Sequence, residues 1–370
     1  MESEIEMLKL GFNDREKEIY ERNKISINKG FSRIQSIARK KAKLTKCYIC
    51  GKECSSFCKS HSVPQFCLKR IAIDGKVFFS GIQQDFPILG EDSGVNDAGT
   101  FSLICRECDN TLFQDYENPN AYDSMPSGKA LAQIAMKDYL QIISKRLYEK
   151  QLYTLAMELS PINKPFLEDQ LRAIQLDLDE YIPAYNRAKI ASSGGHDDWY
   201  YAFYYKKVDY VVPYAAQSAL VLFGDFEDNI INDVYNYSPN YHTKDIHIAI
   251  FPLAKCSAII GFVDSQITRY RSFYKQLRKL QPDDQLSAIN YIIHSYAENV
   301  FLSKAISKDV LQSKCFKDVC QKSSIASSVN PNKNPISSLI SEFSLSKRSS
   351  FPNLLSEDYA LPSLDLDIKP

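Results

Sequence analysis

The chain has 370 residues with 45 basic and 45 acidic side chains, so its formal net charge is zero. This length allows two or three domains with a substantial core. Without a dominant sign of charge, nucleic acid or anionic lipid has to be bound by a local patch. The opening segment 1–6 lacks the basic and apolar regions of a signal peptide, and no apolar run approaches the length of a membrane span. We therefore expect a cytoplasmic protein without membrane contact.

Residues 1–46 are predicted to form a helical arm that is acidic at first and basic at its end. Its last part is a run of cations that enters the next segment directly: Arg39, Lys40, Lys41, Lys43 and Lys46. Such a run can bind phosphates without selecting a base sequence. A solvated helix face would have the same composition, and both interpretations stay open.

Two cysteine pairs dominate residues 47–120. Cys47 and Cys50 form the first pair, and Cys105 and Cys108 form the second. A gap of two residues lets both thiolates of a tight turn bind one metal ion, and two such pairs supply four sulfur ligands for a structural zinc. The long insert between the pairs is unlike a simple zinc ribbon. It favours a treble clef, with one pair on a turn, a β-hairpin between, and the second pair at a helix start.

Three further cysteines leave open how many side chains bind metal. Cys54, Cys58 and Cys67 lie in the insert together with His61. They allow a second zinc ion, although packing of these thiols in a small core is the expected arrangement. In a reducing compartment ten cysteines favour metal binding over disulfides.

Residues 121–320 are predicted to form a domain of helices on a sheet. Apolar residues recur at steps of three and four between 128 and 159, which predicts a long helix. A second helix is predicted over 168–190, broken or kinked near Pro183. Strand-rich segments follow at 200–205, 208–212, 219–223, 246–253 and 257–263, and helical patterns return at 266–280 and 284–301. Residues 321–370 are rich in Ser and Pro and are predicted to form a tail or a loosely docked segment.

These elements predict an α+β fold, with a small treble-clef zinc module followed by a larger domain of helices packed on a mostly antiparallel sheet. The cysteine segment also resembles the zinc-stapled branch of the HNH endonucleases, whose ββα-metal site lies on such a scaffold. The resemblance covers about 75 residues and depends on three short segments: 47–51, 60–64 and 103–109.

The resemblance implies a metal-dependent endonuclease that hydrolyses DNA or RNA, and by analogy an effector of bacterial defence or of a mobile element. His61 would activate water, and Asp109 would hold the catalytic Mg²⁺ or Mn²⁺. The chain departs from the family pattern at three positions: Ser60 replaces an acidic residue, Thr100 replaces an asparagine, and Asp109 replaces His or Asn. His61 also remains a candidate zinc ligand or a hydrogen-bonded structural histidine.

The alternative function is a non-catalytic zinc module that binds nucleic acid or a partner protein. Ser60 and Thr100 favour it. In either case residues 121–320 would offer a surface to a protein partner. A nuclease that cuts both strands of a duplex often acts as a symmetric pair, which allows a homodimer.

Overall fold

The computed structural model describes residues 7–8, 14–79, 92–159, 164–236, 238, 240–322, 326–327 and 335–362. Helices pack with a mostly antiparallel sheet, which confirms the predicted α+β class. The helices assigned in these residues are α1 (Asp14–Ala42), α2 (Gln65–Ile71), α3 (Arg106–Leu112), α4 (Gly128–Leu159), α5 (Lys164–Ser192), α6 (Arg271–Lys279), α7 (Pro282–Tyr296), α8 (Lys308–Gln312), α9 (Lys314–Cys320) and α10 (Pro335–Phe343). Among them, no helix is long and apolar enough to cross a membrane.

The strands form one large sheet and two small ladders. Their bounds are β1 (Met7–Leu8), β2 (Ser60–His61), β3 (Lys76–Phe79), β4 (Ser93–Gly94), β5 (Thr100–Phe101), β6 (Tyr200–Val208), β7 (Tyr214–Leu220), β8 (Ile246–Pro252), β9 (Ser257–Asp264), β10 (Val300–Leu302) and β11 (Ala326–Ser327). The seven-stranded sheet has the order β4-β3-β10-β7-β8-β9-β6, and its pairs are antiparallel. β2 pairs with β5, and β1 pairs with β11.

The sheet joins the cysteine-rich segment to the later part of the chain. β3 and β4 come from that segment, and β3 pairs with β10. One apolar core likewise contains Cys47 and Ile104 together with Tyr185 and Phe251. The cysteine-rich segment is therefore packed into the body of the protein, and the boundaries near residues 46, 120 and 320 stay predictions.

Helix α4 is the centre of this packing. Its bounds agree with the predicted helix, and residues 130–140 are all buried. It contacts α1, α5, β6 and β7. A helix that is buried on every side is normally apolar all round. Lys137 and Asp138, which are 0% and 3% exposed, are therefore exceptional, and each needs a partner inside the protein.

Asp138 has its partners on the sheet. His247 Nδ1 lies 2.7 Å from Asp138 Oδ2, and the Gln217 amide donates to Oδ1 at 2.9 Å. The Tyr139 hydroxyl lies 3.1 Å from the second ring nitrogen of His247. Burial raises the pKa of Asp138, whereas the two donors favour its carboxylate form. This polar network fastens α4 to β7 and β8.

Some predicted boundaries differ from the observed ones. The predicted helix over 284–301 is too long at its end: residues 300 and 301 belong to β10, because the chain becomes extended at Ala297 and Phe301 pairs with both β3 and β7. α5 runs through Pro183 as a single assigned helix. In the Ser/Pro-rich segment, α10 is followed by Leu354 and Leu355, which are fully buried, so residues 335–362 are docked on the body.

We expect Asp138→Ala to destabilise the protein strongly. The substitution leaves the His247 ring and the Gln217 amide without their acceptor in the core, which should lower the free energy of unfolding by about 3 kcal/mol. Urea unfolding measures this change. The matched control is Asp169→Ala on α5, whose carboxylate is 71% exposed, and it should change stability by less than about 0.5 kcal/mol. Equal stability of the two variants would contradict a structural role for the network.

Candidate metal centre

The two cysteine pairs converge on one point. The sulfur atoms of Cys47, Cys50, Cys105 and Cys108 all lie within 4.8 Å of one another. Cys50 Sγ and Cys105 Sγ are 4.0 Å apart. In a tetrahedral site with Zn–S bonds of about 2.3 Å, neighbouring sulfurs are separated by about 3.8 Å. The predicted four-cysteine cluster is thus confirmed, and its geometry fits one structural zinc ion.

Local backbone structure explains how each pair is positioned. The first pair lies on a tight turn, in which Gly51 N–H donates to the Cys47 carbonyl and Cys47 N–H donates to the Lys52 carbonyl, both at 2.9 Å. Gly51 has φ +71°, a conformation that glycine adopts at no steric cost. The second pair begins α3, where Cys105 is the N-cap and its sulfur accepts from Cys108 N–H at 3.5 Å.

Backbone amides also favour thiolate formation at the first cysteine. Burial opposes ionisation of Cys47, but amide donors from Cys50, Cys105 and Ile49 lower its pKa to about 7. Burial, together with the neighbouring thiols, raises the pKa of Cys108. Sulfurs this close cannot all carry a charge without a cation between them, which is the situation a zinc ion resolves.

The other insert cysteines lie outside the cluster. Cys58 Sγ donates to the Ile104 carbonyl at 3.2 Å, and burial raises its pKa to about 12. Cys54 Sγ donates to the Lys52 carbonyl, and Cys67 is fully buried. Within the described residues, the four clustered cysteines are the only group of three or more His, Cys, Asp or Glu side chains arranged to hold a metal. This favours a single zinc ion.

Lys137, on the buried helix α4, connects the two candidate cation ligands of the HNH-like segment. Its ammonium lies 2.7 Å from Ser60 Oγ and 2.8 Å from Asp109 Oδ1. Ser60 Oγ also donates to Asp109 Oδ1 at 2.7 Å. The ammonium lies 4.1 Å from the centre of the Phe113 ring, a favourable cation–π distance. The position that a cation would take between Ser60 and Asp109 is therefore filled by a lysine side chain.

These residues do not fit a Mg²⁺ ion as they stand. Mg²⁺ prefers carboxylate oxygens and retains several waters, whereas Asp109 brings a single carboxylate whose Oδ1 accepts from a buried cation. Two other nearby carboxylates are also paired, Asp97 with Lys59 and Asp115 with Lys129. The assignment of Asp109 to a catalytic ion stays a prediction.

His61 is half-buried on β2, opposite Thr100 of β5. Its Nε2 donates to the Val95 carbonyl at 2.9 Å, which leaves Nδ1 as the nitrogen able to accept a proton. Burial lowers the pKa of His61, and Lys137 lowers it further. The ring is outside the four-cysteine cluster, so the structure does not place it with the zinc ligands.

The predicted phosphate-binding residues lie at the end of α1 and just beyond it. Arg39, Lys40, Lys41, Lys43 and Lys46 are all exposed. Arg39 and Lys43 line a cleft of about 1240 Å³ between α1, β5 and α4. Lys145 and Arg146 also line this cleft, but they are paired with carboxylates such as Glu149.

Sequence reasoning did not identify Lys137 as part of the site. A signal was present, because Lys137 and Asp138 are the only charged residues in the segment 130–140 of α4. A charge at such a position needs a buried partner, but nothing in the local sequence indicates that the partner is 28 residues away at Asp109.

Comparison with known protein families, curated proteins and solved structures finds no match to this chain. The likeness to HNH endonucleases therefore depends on the motif residues alone.

Purified protein should contain about one zinc per chain, measured by elemental analysis. Cys105→Ser removes a sulfur ligand but keeps a side chain that can cap α3, and the loss of the ligand should lower both the zinc content and the melting temperature. Cys54→Ser is the matched control and should retain the metal. About two zinc ions per chain, or metal loss in the control alone, would contradict the single four-sulfur site.

Removing one partner of the Lys137–Asp109 ion pair should cost more than removing both. Asp109→Asn leaves a buried ammonium without its counter-charge, and we expect a loss of about 3 kcal/mol. The double variant Asp109→Leu with Lys137→Met has no buried charge and should recover part of that stability. Urea unfolding of Asp109→Leu, of Lys137→Met and of the double variant gives the coupling energy. A coupling near zero would show that the pair does not contribute to stability.

Proposed function

We propose that this chain is a nucleic-acid-binding protein in which the zinc module is a scaffold, and that it does not cleave phosphodiester bonds. The zinc would be held by Cys47, Cys50, Cys105 and Cys108, and its role would be to fix the turn of the first pair against α3. This is the non-catalytic form of the HNH-like arrangement.

The Lys137 ammonium between Ser60 and Asp109 carries this proposal. Phosphodiester cleavage by an HNH-type site needs a divalent cation that contacts the phosphate and stabilises the leaving oxygen. A fixed ammonium at the ligand position repels such an ion, and Lys137 is fully buried and so cannot reach a phosphate. Serine at position 60 also removes a carboxylate that would attract the ion.

The exposed basic residues supply the binding surface. Arg39, Lys40, Lys41 and Lys43 have no carboxylate partner in the described part of the chain, whereas Lys52 and Lys59 are paired with Glu107 and Asp97. Unpaired exposed cations bind phosphates by releasing counter-ions and do not read bases. Binding should therefore depend strongly on salt and weakly on sequence.

An HNH-type endonuclease is the second candidate, and the orientation of His61 favours it. Its Nε2 is held by the Val95 carbonyl, and its pKa is lowered by burial, so a neutral ring presents Nδ1 as a base near neutral pH. For such an enzyme, Asp109 would bind Mg²⁺ or Mn²⁺ only after Lys137 had moved away.

Incubation with plasmid and with single-stranded DNA and RNA separates the two candidates. With Mg²⁺ or Mn²⁺ present, we expect gel-shifted complexes and no new cleavage products from the wild-type protein. His61→Ala should bind as well as wild type, because the imidazole makes no contact that the proposal requires.

Metal-dependent cleavage by the wild-type protein that disappears in His61→Ala would establish the endonuclease instead. Absence of both cleavage and any gel shift at low salt would reject both candidates.

A further inference from the structure

From Arg22 to its end, α1 carries charge of one sign, and so do the four residues that follow it. Nine of the chain's 45 basic residues lie between Arg22 and Lys46, and none of its 45 acidic residues does. Since the whole chain is neutral, this segment concentrates positive charge in a way that the overall composition does not reveal.

Helical geometry arranges part of this charge in one line. At 3.6 residues per turn, Arg22, Lys29, Arg33 and Lys40 project within about 20° of a common direction. All four are exposed. With a rise of about 1.5 Å per residue, the line is about 27 Å long. We call these four residues the cationic stripe.

The opposite face of α1 fixes which way the stripe points. Ala38 is fully buried, and Ile34 and Ala42 are half-buried, at steps of four residues. Their side of the helix contacts α4. The stripe is therefore held outward, away from the body of the protein.

A solvated helix face normally mixes both signs of charge, and other helices of this chain do so. On α5, Lys164 pairs with Glu168 and Asp169 pairs with Arg172. In the stripe, Arg22 has a weak contact with Glu18 at 3.8 Å, and the other three cations have no carboxylate partner among the described residues. The missing negative charge points to an external polyanion.

Among polyanions, a nucleic-acid duplex fits best. A duplex is a stiff rod with one phosphate charge per about 1.7 Å of its axis, so a straight line of cations can neutralise several phosphates at once. A membrane-binding helix would present a continuous apolar face beside its cations. On α1, Ile34, Ala38 and Ala42 face α4. Among the described side chains near the stripe, Ile25 and Ile37 are 87% and 37% exposed, but they lie on opposite flanks of it and form no continuous apolar face.

We propose that the cationic stripe of Arg22, Lys29, Arg33 and Lys40 is a docking surface for the phosphate backbone of double-helical nucleic acid. This inference deepens the proposed function and depends on it. It extends the contact surface from the end of α1 along most of the helix. Because the stripe lies on a helix whose other side is packed on α4, it contacts phosphates and reads no bases.

The test uses the full chain and a fluorescein-labelled 30-base-pair DNA duplex, with fluorescence anisotropy recorded between 50 and 200 mM NaCl. A parallel arm uses an RNA duplex of the same length. The stripe variant carries Arg22→Gln, Lys29→Gln, Arg33→Gln and Lys40→Gln. The matched control carries Arg271→Gln, Lys275→Gln, Lys279→Gln and Lys308→Gln, which removes four exposed cations from α6 and α8.

We expect the stripe variant to bind about tenfold more weakly or worse, and the slope of log Kobs against log [NaCl] to fall by about 3 to 4. The control should match wild type, and two duplexes of unrelated sequence should bind equally. Thermal melting should show that all three proteins are folded, since the substituted side chains are exposed.

If the stripe variant binds the duplex as tightly as wild type, the cationic stripe is not the docking surface. The proposed function would be unaffected by that result. Binding of wild type to phosphatidylserine vesicles, but to no duplex and to no single-stranded DNA or RNA, would overturn the stripe and the proposed function together. Binding of only one of the two duplexes, lost in the stripe variant, would identify the nucleic acid.

Discussion

The structure depends on two adjacent charges inside the stretch of α4, residues 130–140, that is buried on every side. Lys137 and Asp138 follow each other on α4, and neighbouring residues on a helix point about 100° apart. They therefore take partners from different elements: Lys137 contacts Ser60 and Asp109, and Asp138 contacts His247. Because an unpaired buried charge is very costly, the cysteine-rich segment and the sheet must both pack against this one helix.

This constraint links the packing of the zinc module to its chemistry. A serine at position 60 would leave Asp109 with one neutral neighbour, and Lys137 supplies the counter-charge that a divalent ion would otherwise bring. The same ammonium holds β2 and α3 together, while the zinc site holds α3 to the first cysteine turn. Two different cations, one covalently attached and one bound, would then stabilise the same small module through adjacent residues of α3, Asp109 and Cys108.

Sequence patterns predicted those features that depend on residues close together in the chain. The α4 bounds follow from a long segment with a helical period, and the cysteine pairs follow from their spacing. The strand β10 was missed because three residues carry too little pattern, and its neighbours β3 and β7 decide its conformation. The Lys137–Asp109 contact was missed for the same reason, since only the fold brings these residues together.

Two charged residues of the interior have close partners, whereas the cations on α1 are solvated. Inside, Lys137 and Asp138 each have a close partner, because burial without one is prohibitive. On α1 the cations are solvated and so carry no such penalty, but Lys29 and Arg33 are only about 6 Å apart along the helix axis. That separation is shorter than the screening length of about 8 Å at physiological salt, so their repulsion persists. A line of cations that repel one another is stabilised when phosphates bind along it, and this makes α1 the part of the molecule whose charge is best explained by a partner outside it.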